Sequence, residues 1–173
     1  TVFLDGDMVR SICDHDLGHT IEGRRINSNR VSRLYLELDK QGSNVVCAIL
    51  SIFHDAQAWN RENYSDYKEI YLDVTMETLL KRDSKKLYQN AIDKLEQNVV
   101  GIDIQFKPPI SPDLIINNDK EINDPTIIAK QALRDIGIDV GPIYKYPNTN
   151  LLTHPEKYEY SEFLGETFLV GYH

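Results

Sequence analysis

Short continuous apolar runs alternate along this chain with longer stretches in which apolar residues recur at helical spacing. Thr1–Leu4 reads as a strand that ends in Asp5-Gly6-Asp7. Ile26, Val31, Leu34, Tyr35 and Leu38 then predict a helix from about Ile21 to Gln41, stopped by Gly42. Asn44–Leu50 is a continuous apolar run, as expected of a central parallel strand buried on both faces. A short helix opens at Asp55–Asn60, a third strand covers Tyr67–Val74, and a helix covers Met76–Arg82. Leu87–Asn98 is a polar helical stretch, and 107–112 is a proline-rich loop. Leu114–Asn117 is a fourth strand, and Pro125–Ile136 is a helix closed by Gly137. Strands alternating with helices predict an α/β fold built on a parallel sheet.

Beyond Gly141 the pattern changes to tyrosines, prolines and short apolar patches without a period. The expected division is a domain over 1–140 and an irregular C-terminal extension over 141–173. The extension's aromatics (Tyr144, Tyr146, Tyr158, Tyr160, Phe163 and Phe168) read as packing groups.

Composition narrows the function. With 41% hydrophobic and 27% charged residues, the 173-residue chain has the texture of a soluble globular protein. A net charge of −8 argues against nucleic acid as a partner, because no basic stripe is present to release counterions. It leaves room for a small anionic ligand, since local arginines can oppose the global sign. No run approaches a membrane span and no signal peptide is visible, so a cytoplasmic protein is expected. Cys13 and Cys47 are too few for a disulfide framework and read as reduced, buried thiols.

The first strand tip carries the first candidate chemistry. Asp5 and Asp7 flank a glycine, and Arg10 follows three residues later. At the carboxyl end of a parallel strand, such a group suits a nucleotide: a carboxylate takes a proton or holds Mg²⁺, and the guanidinium grips an anion. The competing reading is a capped helix with Asp7 as N-cap and Arg10 solvated. His15 and His19 have i,i+4 spacing, but Gly18 interrupts them and no third ligand is evident, so no metal site is expected.

Several blocks together resemble the adenylyl-sulfate kinases and their relatives among the P-loop kinases. They are Phe3-Leu4-Asp5-Gly6-Asp7-Met8-Val9-Arg10, Asp16-Leu17-Gly18, Arg24 with Asn27 and Arg30-Val31, and Ala48-Ile49-Leu50-Ser51. Further on come Tyr71-Leu72-Asp73-Val74, Lys81 to Tyr88, and Gly101-Ile102-Asp103. The resemblance implies a P-loop kinase-like three-layer fold, with helices flanking a parallel sheet. It also implies transfer of the γ-phosphoryl group of ATP, with Mg²⁺, to the 3′-hydroxyl of a nucleotide carrying an activated anionic group. In that reading Asp5, Asp7 and Ser51 are the catalytic candidates, with Asp7 preferred for orienting or deprotonating the hydroxyl. Arg10, Arg24, Asn27 and Leu50 match acceptor-binding positions, with Ser51 beside Leu50. Arg82, Asp83, Lys85 and Lys86 fall in a lid over ATP. A homodimer acting in sulfate assimilation is the further implication.

The sequence also departs from the family. No Gly-x-x-x-x-Gly-Lys-Ser/Thr loop occurs in it, although that loop cradles ATP phosphates. In the family the loop follows a central strand upstream of the Asp-Gly-Asp strand. A parallel sheet without a central strand leaves two unpaired edges. The expectation is therefore that the functional protein continues ahead of Thr1 and that these residues alone do not turn over ATP. The two aromatics that clamp adenine in the family correspond here to His19 and Val99. Ring stacking contributes ~1–3 kcal/mol per base, so this substitution weakens an adenine acceptor. Adenylyl sulfate is the first expectation. A cytidine diphosphoramidate-type acceptor is the alternative, suggested by Trp59-Asn60-Arg61 and Val99-Val100-Gly101-Ile102-Asp103. A non-catalytic nucleotide-binding module is a third reading.

Overall fold

The computed structural model describes residues 1–120, 124–138 and 167–171. β1 (Val2–Asp5) runs directly into α1 (Gly6–Ile12), because Asp5 turns the chain. Its backbone is extended and its Oδ1 accepts from the Met8 N–H at 2.7 Å, which satisfies one of the donors a helix start leaves open. The cap is thus Asp5 rather than Asp7, whose carboxylate is left exposed in the first turn.

α2 (Ile21–Lys40) starts on Thr20, whose hydroxyl accepts from the Gly23 N–H, and it buries Val31 and Tyr35. β2 (Val45–Ile49), α3 (His54–Asn63), β3 (Tyr67–Asp73) and α4 (Met76–Lys81) follow in alternation. α5 (Leu87–Ile92) is shorter than the expected Leu87–Asn98. Residues 93–98 offer no apolar face, Leu95 stands in solvent, and Lys94 and Asn98 turn left-handed. β4 (Leu114–Asn117) and α6 (Pro125–Asp135) complete the predicted set, and α6 has Asp124 as cap and Gly137 beyond its end at φ +84°.

The sheet order is β1-β2-β5-β3-β4, where β5 is Thr167–Gly171. β1 pairs parallel to β2, and β3 pairs parallel to β4. β5 lies antiparallel to both of its neighbours, with Phe168 opposite Ala48 on one side and Ile70 on the other. The parallel pairs expected of the α/β sheet are present, and one strand from the C-terminal extension, β5, joins them antiparallel. The two edges that a missing central strand would leave bare are paired by residues 167–171, which meets the backbone donors and acceptors of β2 and β3. The expectations placed on Tyr144, Tyr146, Tyr158, Tyr160 and Phe163 lie outside the described residues.

Both faces of the sheet are covered, which gives the expected three layers. Val9, Val31 and Tyr35 pack with Val45, Cys47 and Tyr67 on one face. On the other, Ala132 and Ile136 of α6 pack on Ile70, with Val46, Leu72, Leu114 and Ile116 beside them. A third cluster of Leu79, Tyr88, Ala91 and Val99 joins α4 and α5 to the loop that follows. Burying each such aliphatic or aromatic side chain contributes ~1.5–3 kcal/mol. Cys47 is fully buried, whereas Cys13 is half-buried, and neither is in a disulfide.

Candidate active site

The carboxyl ends of β1 and β2 lie side by side because Asp5 pairs with Ala48. Asp7 on α1 and Leu50-Ser51 after β2 therefore project from the same edge of the sheet. Ser51 is buried, and the Gln57 side-chain amide donates to its carbonyl at 3.1 Å and to its Oγ at 3.3 Å. The Ser51 hydroxyl proton is thus not spent on Gln57. Leu50 is half-buried beside it.

The segment 13–20 wraps back from α1 to α2 through left-handed Asp14 and His15. Gly23 lets it approach: a Cβ there would meet the Gly18 carbonyl oxygen at 2.7 Å, closer than a side-chain carbon can lie. The carbonyls of this segment receive the arginines. Arg10 Nη1 donates to the Leu17 and Gly18 oxygens at 3.1 and 3.3 Å. Arg24 Nε donates to the His19 oxygen at 2.9 Å, and its Nη2 donates to the Asn98 oxygen at 2.9 Å. Arg24 thereby ties the start of α2 to the loop beyond α5.

These groups lie close enough to act on one another's charge. Burial first, and then the positive charge of Arg10, lower the pKa of Arg24 from its ordinary value. His19 is also lowered, by burial first and then by Arg10 and Arg24, while Asp7 and Glu96 pull it upward. Asp7, Arg10, His19 and Arg24 are therefore neighbours. Among the described residues, no carboxylate forms an ion pair with Arg10 or Arg24. Asn27 is half-buried one turn beyond Arg24 on the same helix face.

Other sequence candidates lie elsewhere. Val99 is 4% exposed and packs into the third cluster with Leu79, Tyr88 and Ala91. The lid candidates gather at the tips of β3 and β4. Arg82 donates to the Asn118 oxygen at 2.8 Å and to the Lys120 oxygen at 3.2 Å. Asp83 accepts from the Leu87 and Gln89 N–H groups and so starts α5. Lys85 and Lys86 are exposed, and Lys86 is left-handed. Three residues that motif reading did not assign help hold the site: Gln57, Asn98 and Asp103. Their partners are main-chain atoms or a side chain fixed by the fold; Asp103 stands in the Gly101-Ile102-Asp103 block, but the block gives it no role.

Arginines held by carbonyls at the carboxyl edge of an α/β sheet suit a protein that binds nucleotides or phosphates. The family described as adenylylsulphate kinase matches residues 1–117, and the chain belongs to this family of phosphotransferases. It is 37% identical over 117 residues to the cytidine diphosphoramidate kinase of Campylobacter jejuni, covering 68% of each protein. It is 35% identical over 118 residues to the adenylyl-sulfate kinase of Halothermothrix orenii, covering 68% of this chain and 64% of that one. Among solved structures it resembles the Mycobacterium tuberculosis APS kinase CysC in complex with AMPPNP and APS. That match has a TM-score of 0.65 at 25% identity, and covers 78% of this chain and 80% of the other.

Proposed function

We propose that this chain handles the acceptor in a kinase that moves the γ-phosphoryl group of ATP to the 3′-hydroxyl of a nucleotide, adenylyl sulfate first among acceptors. The observation that supports this most is the pair of guanidinium groups, Arg10 and Arg24, held by carbonyl oxygens and left unneutralised. Two cations that repel each other, fixed by neutral acceptors, favour an anion placed between them. Asn27 and the Leu50-Ser51 wall complete the acceptor pocket, with His19 at its mouth.

In the reaction the 3′-oxygen attacks the γ-phosphorus. The bond from that phosphorus to the β,γ-bridging oxygen breaks, and ADP leaves with the electron pair. The hydroxyl proton passes to Asp7, whose exposed carboxylate is not used as a helix cap. Asp5 fixes the start of α1 and so the place of Asp7, and Ser51 donates its remaining proton to the acceptor or the moving group. Transfer through a loose transition state depends on alignment and charge stabilisation more than on covalent help. Arg82, Lys85 and Lys86 extend over ATP, with Asp83 shaping the turn between them. Mg²⁺ would be carried by the ATP phosphates with at most one or two protein carboxylates, and would neutralise charge on those phosphates, leaving Asp7 for the hydroxyl proton. A cytoplasmic homodimer is part of the same reading. Among the described residues, no helix is long and apolar enough to cross a membrane.

A second reading, a cytidine diphosphoramidate-type acceptor, is favoured by one specific observation. His19 and Val99 stand where the family has its two clamp aromatics, and Val99 is turned into the third cluster, so it offers a base no stacking surface. A coupled ADP-release assay on the complete protein, with the two acceptors side by side, separates the readings. The Asp7→Asn variant should lower kcat about 10²- to 10⁴-fold with whichever acceptor is used. Turnover with neither acceptor, or unchanged turnover in that variant, would overturn the proposal.

A further inference from the structure

We infer that Asp103 is a positioning residue for the acceptor, acting through the loop carbonyl that holds Arg24; this rests on the reading of Arg24 given above. Asp103 grips two consecutive main-chain amides, its Oδ2 accepting from Asn98 and its Oδ1 from Val99, each at 2.6 Å. Those bonds hold the Asp103 carboxyl below the usual carboxylate range, the Asn98 amide being the largest cause. The carboxylate is therefore ionised throughout the neutral range.

Its grip matters because of what Asn98 is doing. Asn98 sits at φ +65°, a conformation in which the chain reverses and the carbonyl is turned back toward α2. That carbonyl oxygen accepts from Arg24 Nη2 at 2.9 Å. The rest of the loop is closed on itself, with Ile102, Asp103 and Ile104 all donating to the Val99 oxygen and Gly101 donating to Ile104. On its far side the Val99 side chain is anchored among Leu79, Tyr88 and Ala91. The loop is thus fixed at two points. The apolar anchor decides where the loop lies, and Asp103 decides which way the Asn98 carbonyl faces.

Asp103 is also the negative charge that Arg24 senses without pairing to it: its field favours the charged guanidinium, opposing burial and Arg10. A direct ion pair would cancel the charge offered to an anion, whereas a carboxylate one residue-link away holds the geometry and leaves the guanidinium available. Because Asp103 itself is exposed, its replacement removes this constraint without opening the core.

The test is steady-state kinetics on the complete protein with adenylyl sulfate or the cytidine-type acceptor, whichever turns over. In Asp103→Asn, the amide group keeps one acceptor atom and loses the charge. The acceptor KM should rise roughly tenfold, while KM for ATP stays within about twofold. In an Arg24→Ala background the same substitution should raise the acceptor KM no further, since the group it positions is gone. Asp103→Glu, which restores the charge on a longer arm, should recover part of the loss. An unchanged acceptor KM, an equal rise in KM for ATP, or full additivity with Arg24→Ala would overturn the inference. Should Asp103→Asn fail to fold by circular dichroism and gel filtration, Asp103→Glu carries the same comparison with a smaller shift. If Arg24→Ala alone leaves the acceptor KM unchanged, it is the acceptor-site reading that fails instead.

Discussion

Two sets of arginines are held in different ways, one by main-chain carbonyls alone and one with carboxylates. At the carboxyl edge Arg10, Arg24 and Arg82 donate to main-chain carbonyls of residues 17–19, 98, 118 and 120. At the amino edge, Arg61 of α3 donates to both carboxylate oxygens of Asp113 at 2.9 and 3.3 Å and lies 3.6 Å from Glu69 Oε2. It also stacks on the Tyr67 ring. Arg25 and Arg30 follow the second pattern, forming two-pronged pairs with Asp55 and Asp16. A carbonyl cradle sets the direction of a guanidinium without cancelling its charge, whereas a carboxylate does both. The first arrangement leaves a cation for a ligand, and the second binds α3 to the sheet or α2 to its neighbours.

Substitutions at the two edges should therefore fail in different ways. Arg61→Ala strands Glu69, whose side chain is 3% exposed, so about 2–4 kcal/mol of stability should be lost. The melting temperature should fall by about 5–15 °C, with the acceptor KM of the remaining folded enzyme unchanged. Arg24→Ala should show chiefly in the kinetics: kcat/KM for the acceptor falls about 10- to 100-fold, and the melting temperature falls by less than in Arg61→Ala, where a buried carboxylate is stranded. If both variants lose stability alike and neither alters acceptor kinetics, the distinction between the edges collapses.

A pH series sharpens it. Burial, opposed by Arg61 and reinforced by Asp113, raises the Glu69 pKa above its ordinary 4.5. Because the folded value exceeds the unfolded one, this carboxyl favours the fold below pH 4.5 and loses that contribution as pH climbs through the raised value. Glu69→Gln removes the titration, so its melting temperature relative to wild type should improve steadily as pH rises from 4.5 toward neutrality. A constant difference across that range would remove Glu69 from the comparison. The smallest effect is expected for Arg30→Ala. The pair with Asp16 is two-pronged but exposed, and its loss should shift melting by less than about 2 °C and leave kinetics unchanged.

The α/β alternation was legible because β2 and β4 are short apolar runs, β3 is rich in tyrosine and aliphatic residues, and α2 and α6 carry both spacing and stop signals. The Asp5-to-Arg10 motif could be placed because it follows a strand tip directly, whereas Arg24 comes near Arg10 only through the 13–20 segment. What escaped has identifiable causes. Thr167–Gly171 is a short run in an aperiodic segment, and neither its membership of the sheet nor its direction is encoded locally. Val99 matches a ring position in the resemblance, yet its burial depends on α4 and α5 closing over it. Arg30 stands in a family block beside Arg24, but only the fold reveals that Asp16 already neutralises it. Asp103 lies in a family block, but its partners are backbone amides, so the sequence did not show what it holds.

Assembly of the sheet has an unusual order built into it. Among the described residues, the backbone ladders of the β1–β2 and β3–β4 halves are joined only through Thr167–Gly171, which lies far along the chain from Ile49, so the slowest pairing joins the two halves at the middle. A nascent or truncated chain ending ahead of Thr167 would present two parallel ribbons with bare inner borders, open to any extended segment that reached them first.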